Sequence, residues 1–270
     1  MDRIITPFLK WPGGKRWFIQ KHKSLLPKEF NRYFEPFLGS GVVFFYLNPD
    51  VAVLNDLNKN LIDTYKGIKS KWSKVYQLLN EHNEAHCKEY YYYIRSTTFT
   101  TLEEKSAQLI YLNRTCFNGI YRVNKQGQFN VPIGSKTQVL LDTDNFQATA
   151  KALRSTKLLN KDFEKIINMT KENDFLFVDP PYTVRHNNNG FIKYNEVLFS
   201  WDDQVRLAKS LSNAKERGVK IILTNASHES IRDLYEPYGF DFIETSRYSS
   251  ISASSSKRSN YEELIIMANL

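Results

Sequence analysis

Phe175-Leu176-Phe177-Val178-Asp179-Pro180-Pro181-Tyr182 decides the fold of this chain. The four apolar residues read as a strand buried on both faces, the pattern of a parallel sheet. Two prolines then stop the ladder, because neither can donate a backbone hydrogen bond to it. A carboxylate, a carbonyl outside the ladder and an aromatic ring are thereby fixed at the carboxyl end of a central strand. Open α/β sheets place their ligands there.

The residue types point to methylation of an exocyclic amino group. The lone pair of an aromatic amine is delocalised into its ring, so the nitrogen is a poor nucleophile. Asp179 Oδ and the Pro180 carbonyl are two acceptors able to hold both amine hydrogens. They favour a pyramidal nitrogen with its lone pair aimed at a methyl donor, while Tyr182 stacks on the ring. Asp-Pro is also a common turn starter, so the reading needs support from the rest of the chain.

Outward from this stretch the chain alternates strands and helices. Strands are expected at Arg32–Phe37, Val51–Leu54, Lys157–Leu159, Val219–Thr224, Phe240–Thr245 and Glu262–Ala268. Helices are expected at Arg16–Leu26, Val42–Leu47, Leu57–Ile68, Phe163–Met169, Asp202–Arg217 and His228–Tyr238. The alternation breaks near Tyr65–Trp72. From there to about Asn145 the pattern is helical, at Ser73–Glu84, Lys88–Ser96 and Leu102–Phe117. A hairpin runs Tyr121–Asn124, Lys125–Gln128, Phe129–Val131. The expected architecture is an α/β sheet interrupted by a mainly helical insertion of roughly 80 residues.

Four further motifs lie at the ends of expected strands or before a helix. Phe34-Glu35-Pro36-Phe37-Leu38-Gly39-Ser40-Gly41 is a glycine-rich strand-to-helix turn whose Gly39 and Gly41 permit close backbone approach to a ligand. It is not G-x-G-x-x-G. Asp56, after Leu54-Asn55, can accept from both hydroxyls of a ribose; it equally suits the cap of the helix that follows. Lys10-Trp11-Pro12-Gly13-Gly14-Lys15 exposes amides and a cation before a helix, which suits a carboxylate or phosphate. Asp162-Phe163 can accept from an adenine amino group and cover its ring, or simply cap a helix beside a core Phe.

Composition limits the function classes. The net charge of +8 and the 16 Tyr and 18 Phe favour a polyanionic partner with stackable bases. Cys87 and Cys116 make no C-x-x-C pair, and the five His residues have no ligand spacing, so no metal site is expected. No apolar stretch approaches a membrane span, and Met1–Pro7 does not read as a signal peptide. A reduced, cytoplasmic setting follows as the default. Tyr90–Tyr93 is read as packing of the insertion, and Ser249–Asn260 as a solvated loop with Lys257 and Arg258. Thr183–Gly190 is read as a polar loop.

Taken in order, Lys10–Lys15, Phe34–Gly41, Asn55-Asp56, Asn118–Arg122, Phe129–Pro132 and Asp179–Tyr182 resemble the Dam-type DNA adenine-N6 methyltransferases in their α arrangement, over nearly the whole chain. The resemblance implies a Rossmann-like S-adenosylmethionine-dependent methyltransferase sheet. Residues 1–64 and 146–270 would form the catalytic domain, and residues 65–145 a mainly helical target-recognition domain with a β-hairpin. It implies that Asp179, Pro180, Pro181 and Tyr182 bind a flipped adenine of double-stranded DNA. S-adenosylmethionine would be held by Glu35, Phe37, Gly39 and Gly41, by Asp56 at its ribose, by Asp162 and Phe163 at its adenine, and by Trp11, Gly14 and Lys15 at its methionine end. Lys10, Ile120, Arg122 and Pro132 would meet base pairs and Arg114 and Asn118 phosphates, within a GATC target, the protein acting as a monomer in a bacterial or phage-infected cell near its nucleoid. Gly134-Ser135 departs from the family's Gly-Arg, which leaves GATATC or a degenerate site open. Cytosine N4, an RNA adenine and a glutamine amide are rival acceptors; they go more often with Ser or Asn before Pro-Pro. An inactive DNA-binding descendant should have lost Asp179, Tyr182 or Gly39.

Overall fold

The structure, a computed structural model, describes residues 5–124, 126–184, 199–248 and 260–270. Lys125 at the expected hairpin turn, Arg185–Gly190 of the expected polar loop, and the stretch 249–259 with Lys257 and Arg258 lie outside the described residues.

A seven-stranded sheet has the order β3-β2-β1-β4-β5-β7-β6. Its strands are β1 (Tyr33–Glu35), β2 (Ala52–Asn55), β3 (Thr156–Leu159), β4 (Phe175–Val178), β5 (Lys220–Ala226), β6 (Asp241–Tyr248) and β7 (Asn260–Ala268). β1 is parallel to β2 and to β4, and β4 to β5, whereas β7 runs antiparallel between β5 and β6. Every residue of β1, β2 and β4 is buried, as the continuous apolar runs require. The strand order reverses between β1 and β4, so the segments leaving these two strands flank a topological switch point.

The helices are α1 (Arg16–His22), α2 (Val42–Leu47), α3 (Lys59–Ala85), α4 (Lys88–Ser96), α5 (Leu102–Thr115), α6 (Phe146–Leu153), α7 (Phe163–Ile167), α8 (Trp201–Glu216) and α9 (Glu229–Tyr235). Helices expected at 57–68 and 73–84 are continuous in α3 except at Lys71, whose φ of −140° and ψ of 28° interrupt the helical backbone. α3 starts at Lys59 because the Asn58 side chain accepts from Leu61 N. That displaces Asp56 from the capping role. α5 and α8 begin with reciprocal capping boxes, Thr101 with Glu104 and Ser200 with Asp203. α6 was not foreseen. Asn145 caps it by accepting from Ala148 N, and its short Phe146–Leu153 face carries too few apolar repeats to stand out in sequence.

The chain packs as two compact units: residues 1–19, 39–50 and 58–160, and residues 20–38, 51–57 and 161–270. These bounds differ from a division at residues 65 and 145, because α3 carries the chain past residue 65 as part of one packed unit. In the first unit the core is aromatic: Phe8 packs on Tyr65 and on Phe146, and Tyr91 and Tyr111 are fully buried. The Tyr91 hydroxyl donates to Val131 O at 2.9 Å, so this tyrosine packs the insertion, whereas Tyr93 of the same run is 62% exposed. In the second unit the core is Phe175–Val178, Ile221–Leu223 and Leu264–Ile266. Among the described residues no helix is long and apolar enough to cross a membrane.

Candidate active site and nucleic-acid interface

Asp179 leaves β4 directly after Val178 and is half-buried. Its Oδ1 accepts from the Thr224 hydroxyl on β5 at 2.9 Å. The Tyr182 hydroxyl donates to the carboxylate of Glu263 on β7, which is 1% exposed. Burial first, then the Glu263 and Asp179 carboxylates, pushes the Tyr182 phenol well above its ordinary pKa. The phenol is therefore protonated and serves as a donor. The Pro181 carbonyl faces the amide of buried Gln204, at a long 3.5 Å. The Pro180 carbonyl accepts no hydrogen bond among the described residues. Thr183 donates to Phe199 O at 2.6 Å and fastens the chain just past the tyrosine. Thr224 and Glu263 were not singled out from sequence. The available signal for Glu263 was an acid at the head of the apolar run Leu264-Ile265-Ile266-Met267.

In the same unit Asn55 ties three strand exits together. Its amide donates to Pro36 O and to Lys161 O, both at 2.9 Å, and its oxygen accepts from Lys161 N at 2.8 Å. Leu38 N donates to Asn55 O at 2.8 Å. Half-buried Asp56 and the pair Asp162-Phe163 are thereby set beside the segment Glu35–Leu38. Glu35 is buried and accepts from the Tyr33 hydroxyl at 2.8 Å. Phe37 stacks on Phe163 with centroids 5.5 Å apart. Asp162 caps α7 through Glu164 N and takes both guanidinium nitrogens of Arg206 at 2.9 Å. Hydrogen bonding from Arg206 is the main cause that holds the Asp162 carboxyl below its ordinary pKa. Cap and ion pair thus account for the geometry of Asp162, and Arg206 also lies 4.3 Å over the Phe163 ring.

The first unit holds the glycine loops. Gly39 has φ +49°, and a Cβ there would come within 3.0 Å of Trp11 Cδ1. Gly41, at φ +63°, precedes α2. Trp11 stacks on Tyr121 at 5.1 Å, which holds the indole beside the Gly39 backbone. Lys15 is 4% exposed, and its ammonium donates to Gly13 O at 2.6 Å. Gly14 has Ser40 Oγ and Trp11 O 3.3 Å from where a Cβ would stand. These bare backbones, one buried cation and one aromatic wall fit the amino-acid end of a nucleoside ligand.

All six residues expected at DNA lie in this unit. Lys10, Asn118, Arg122 and Pro132 are exposed and Ile120 half-buried. The Lys10 backbone pairs with the Asn113 side chain at 2.9 and 2.8 Å, and its ammonium donates to Asn118 O at 2.7 Å. Phe117 N donates to Pro132 O at 2.9 Å, which joins the two segments. The hairpin is held by an antiparallel bridge, Val123 with Phe129, and by Asn124 N donating to Gln128 O at 2.8 Å and Asn130 N to Arg122 O at 3.2 Å, while Arg122 Nε donates to Asn130 Oδ1 at 2.9 Å. Arg114 is the exception. Its side chain is 4% exposed and paired with Asp144, and it also donates to Phe8 O and Val139 O. A guanidinium so enclosed cannot meet a phosphate, which corrects the expectation for Arg114.

Residues 11–251 match the profile of the D12 class N6 adenine-specific DNA methyltransferases. The chain belongs to this family. The enzyme is a DNA adenine-N6 methyltransferase, which removes the rival acceptors. It is 35% identical to the type II methyltransferase M1.LlaDCHI of Lactococcus lactis subsp. cremoris, over 97% of this chain and 95% of that one. It is 33% identical to the type II methyltransferase M.MjaIII of Methanocaldococcus jannaschii, over 97% and 99%. It is 30% identical to the DNA adenine methylase of Haemophilus influenzae, over 96% and 92%. Membership implies S-adenosylmethionine as methyl donor for this methyltransferase.

Proposed function

We propose that the methyltransferase acts as a monomer on an adenine turned out of duplex DNA within GATC. The observation that carries the site is the pair of fixed side chains at the switch point: Asp179 held by Thr224 and Tyr182 held by Glu263. Asp179 and the Pro180 carbonyl accept the two N6 hydrogens and direct the nitrogen lone pair. Tyr182 covers the base, and removal of the base from the stack is what lets these groups reach N6. Orientation of this kind converts an encounter into a bound geometry close to reaction.

S-adenosylmethionine supplies an electrophilic methyl group on a sulfonium. In this reading Glu35, Phe37, Gly39 and Gly41 line its binding place. Asp56 accepts from its ribose, Asp162 and Phe163 lie at its adenine, and Trp11, Gly14 and Lys15 meet its methionine end. Residues 65–145 are the target-recognition domain, and residues 1–64 with 146–270 the catalytic domain. Lys10, Ile120, Arg122 and Pro132 read base edges and Asn118 meets a phosphate. An Arg on a guanine edge and an apolar side chain on a thymine methyl suit a GATC site.

The test is transfer of a labelled methyl group to duplexes that carry GATC, GATATC or neither. It is paired with digestion by endonucleases that adenine methylation in GATC blocks or enables. Label confined to GATC duplexes, with the matching digestion pattern, is expected. Label in GATATC alone, or in all three, overturns the target.

A further inference from the structure

We propose that Glu263 is a positioning residue for catalysis, acting through the Tyr182 hydroxyl to fix the ring that covers the target base. The proposal rests on the reading of Asp179–Tyr182 as the active site.

The argument starts from where the last strand lies. β7 pairs antiparallel with β5 in a register that sets Glu263 opposite Ala226 and Ile265 opposite Thr224. β5 already provides Thr224, whose hydroxyl fixes Asp179 Oδ1. β7 then delivers a carboxylate to the neighbouring Tyr182 from the same end of the sheet. The two side chains that would do the chemistry are thus each tied to another strand of the sheet. Glu263 is 1% exposed, at the head of an otherwise apolar run. A charge in that position is unfavourable unless partnered. Its hydrogen-bond partner is a phenol that burial and two carboxylates keep protonated. A charge-assisted bond pins the tyrosine hydroxyl, and because the O–H prefers to lie in the ring plane it also biases the orientation of a ring that must stack.

The experiment is a double-mutant cycle of Glu263→Gln and Tyr182→Phe, with kcat, KM for each substrate, and fluorescence of 2-aminopurine placed at the target position. A neutral amide accepts more weakly than a carboxylate. Glu263→Gln should therefore lower kcat about tenfold, leave donor KM unchanged and reduce the fluorescence change on binding. Tyr182→Phe, which removes the donor, should lower kcat further. On that background Glu263→Gln should change nothing beyond twofold, because the pathway is already cut. Parental kcat and fluorescence in Glu263→Gln, or losses that multiply in the double variant, overturn the role of Glu263. Asp179→Ala, measured beside them, keeps the two readings apart. Full turnover there overturns the site itself, while its loss together with multiplying losses in the cycle discards Glu263 alone.

Discussion

Arg114 and Asp144 form a two-pronged ion pair inside the first unit, with nitrogen to oxygen distances of 2.6 and 2.7 Å and side-chain exposures of 4% and 6%. Removing one partner of a buried pair strands the other charge at a cost of about 3–5 kcal/mol. Arg114→Ala should therefore lower the melting temperature markedly. In the protein that remains folded at low temperature, the salt dependence of DNA affinity should be unchanged. A slope flattened by about one charge would return Arg114 to the phosphate contacts.

Asp179 takes the Thr224 hydroxyl on Oδ1, and the two residues should fail in a graded way. Asp179→Ala should lower turnover by about 10³-fold or more while donor binding and melting are kept, because the aligned amine is felt chiefly in the transition state. Thr224→Val removes the hydroxyl that donates to the Asp179 carboxylate, a bond to a charged group worth about 1.5–3 kcal/mol, and turnover should fall roughly ten- to a hundredfold. Steady-state rates with calorimetric donor titration check both. Asp179→Ala within a few-fold of the parent refutes the mechanism.

For the methyl donor, Asp56 gives the cleaner test and Gly39 the harsher one. Gly39→Val meets Trp11 and a positive φ before any ligand arrives, so its melting curve must accompany its donor titration. It should bind no donor. Asp56→Ala should bind more weakly by about 1.5–3 kcal/mol per charged hydrogen bond lost, with melting unchanged. Parental donor affinity in Asp56→Ala would move the ribose elsewhere.

Arg122 donates through Nε to Asn130 and remains exposed, so its terminal nitrogens can turn to a base edge. Arg122→Ala should cost about 1–3 kcal/mol on cognate DNA and little on other sequences. Affinities on both duplexes at two salt concentrations, beside a melting curve, provide the check. An unaltered ratio with a lowered melting temperature would make the residue structural.

His82 gives the first unit a pH dependence of known sign. Burial lowers its pKa from 6.5 to about 4, and its Nδ1 hydrogen-bonds the Tyr90 hydroxyl at 2.8 Å. Between these values the unfolded chain binds the proton and the folded chain does not. Stability is thus complete above the unfolded value and is lost as pH falls toward 4, by up to about 3 kcal/mol. His82→Gln should flatten that loss when urea unfolding is compared at pH 7.5 and 4.5. Equal slopes in parent and variant would refute it.

Strands and helices were legible because their signals are local. Phe175–Val178 is apolar throughout and stopped by two prolines, and the family motifs follow one another in order along the chain. Asp179 and Tyr182 could be named for the same reason, since their chemistry lies in a short run at a strand end. Other points were not local. The cap of α3 lies at Asn58 rather than Asp56, and both types cap equally well in sequence. Arg114 looked like any arginine beside a target loop, because Asp144 lies 30 residues away.

The sequence by itself therefore determined the strand that ends at Asp179, the glycine turns and the family, all carried by neighbours in the chain. Tertiary structure alone decided which groups hold the proposed catalytic side chains. Thr224 lies 45 residues from Asp179 and Glu263 lies 81 from Tyr182. Such pairs are set by which strands lie side by side and in what register, and that follows from packing two faces of a sheet rather than from any pattern along one segment.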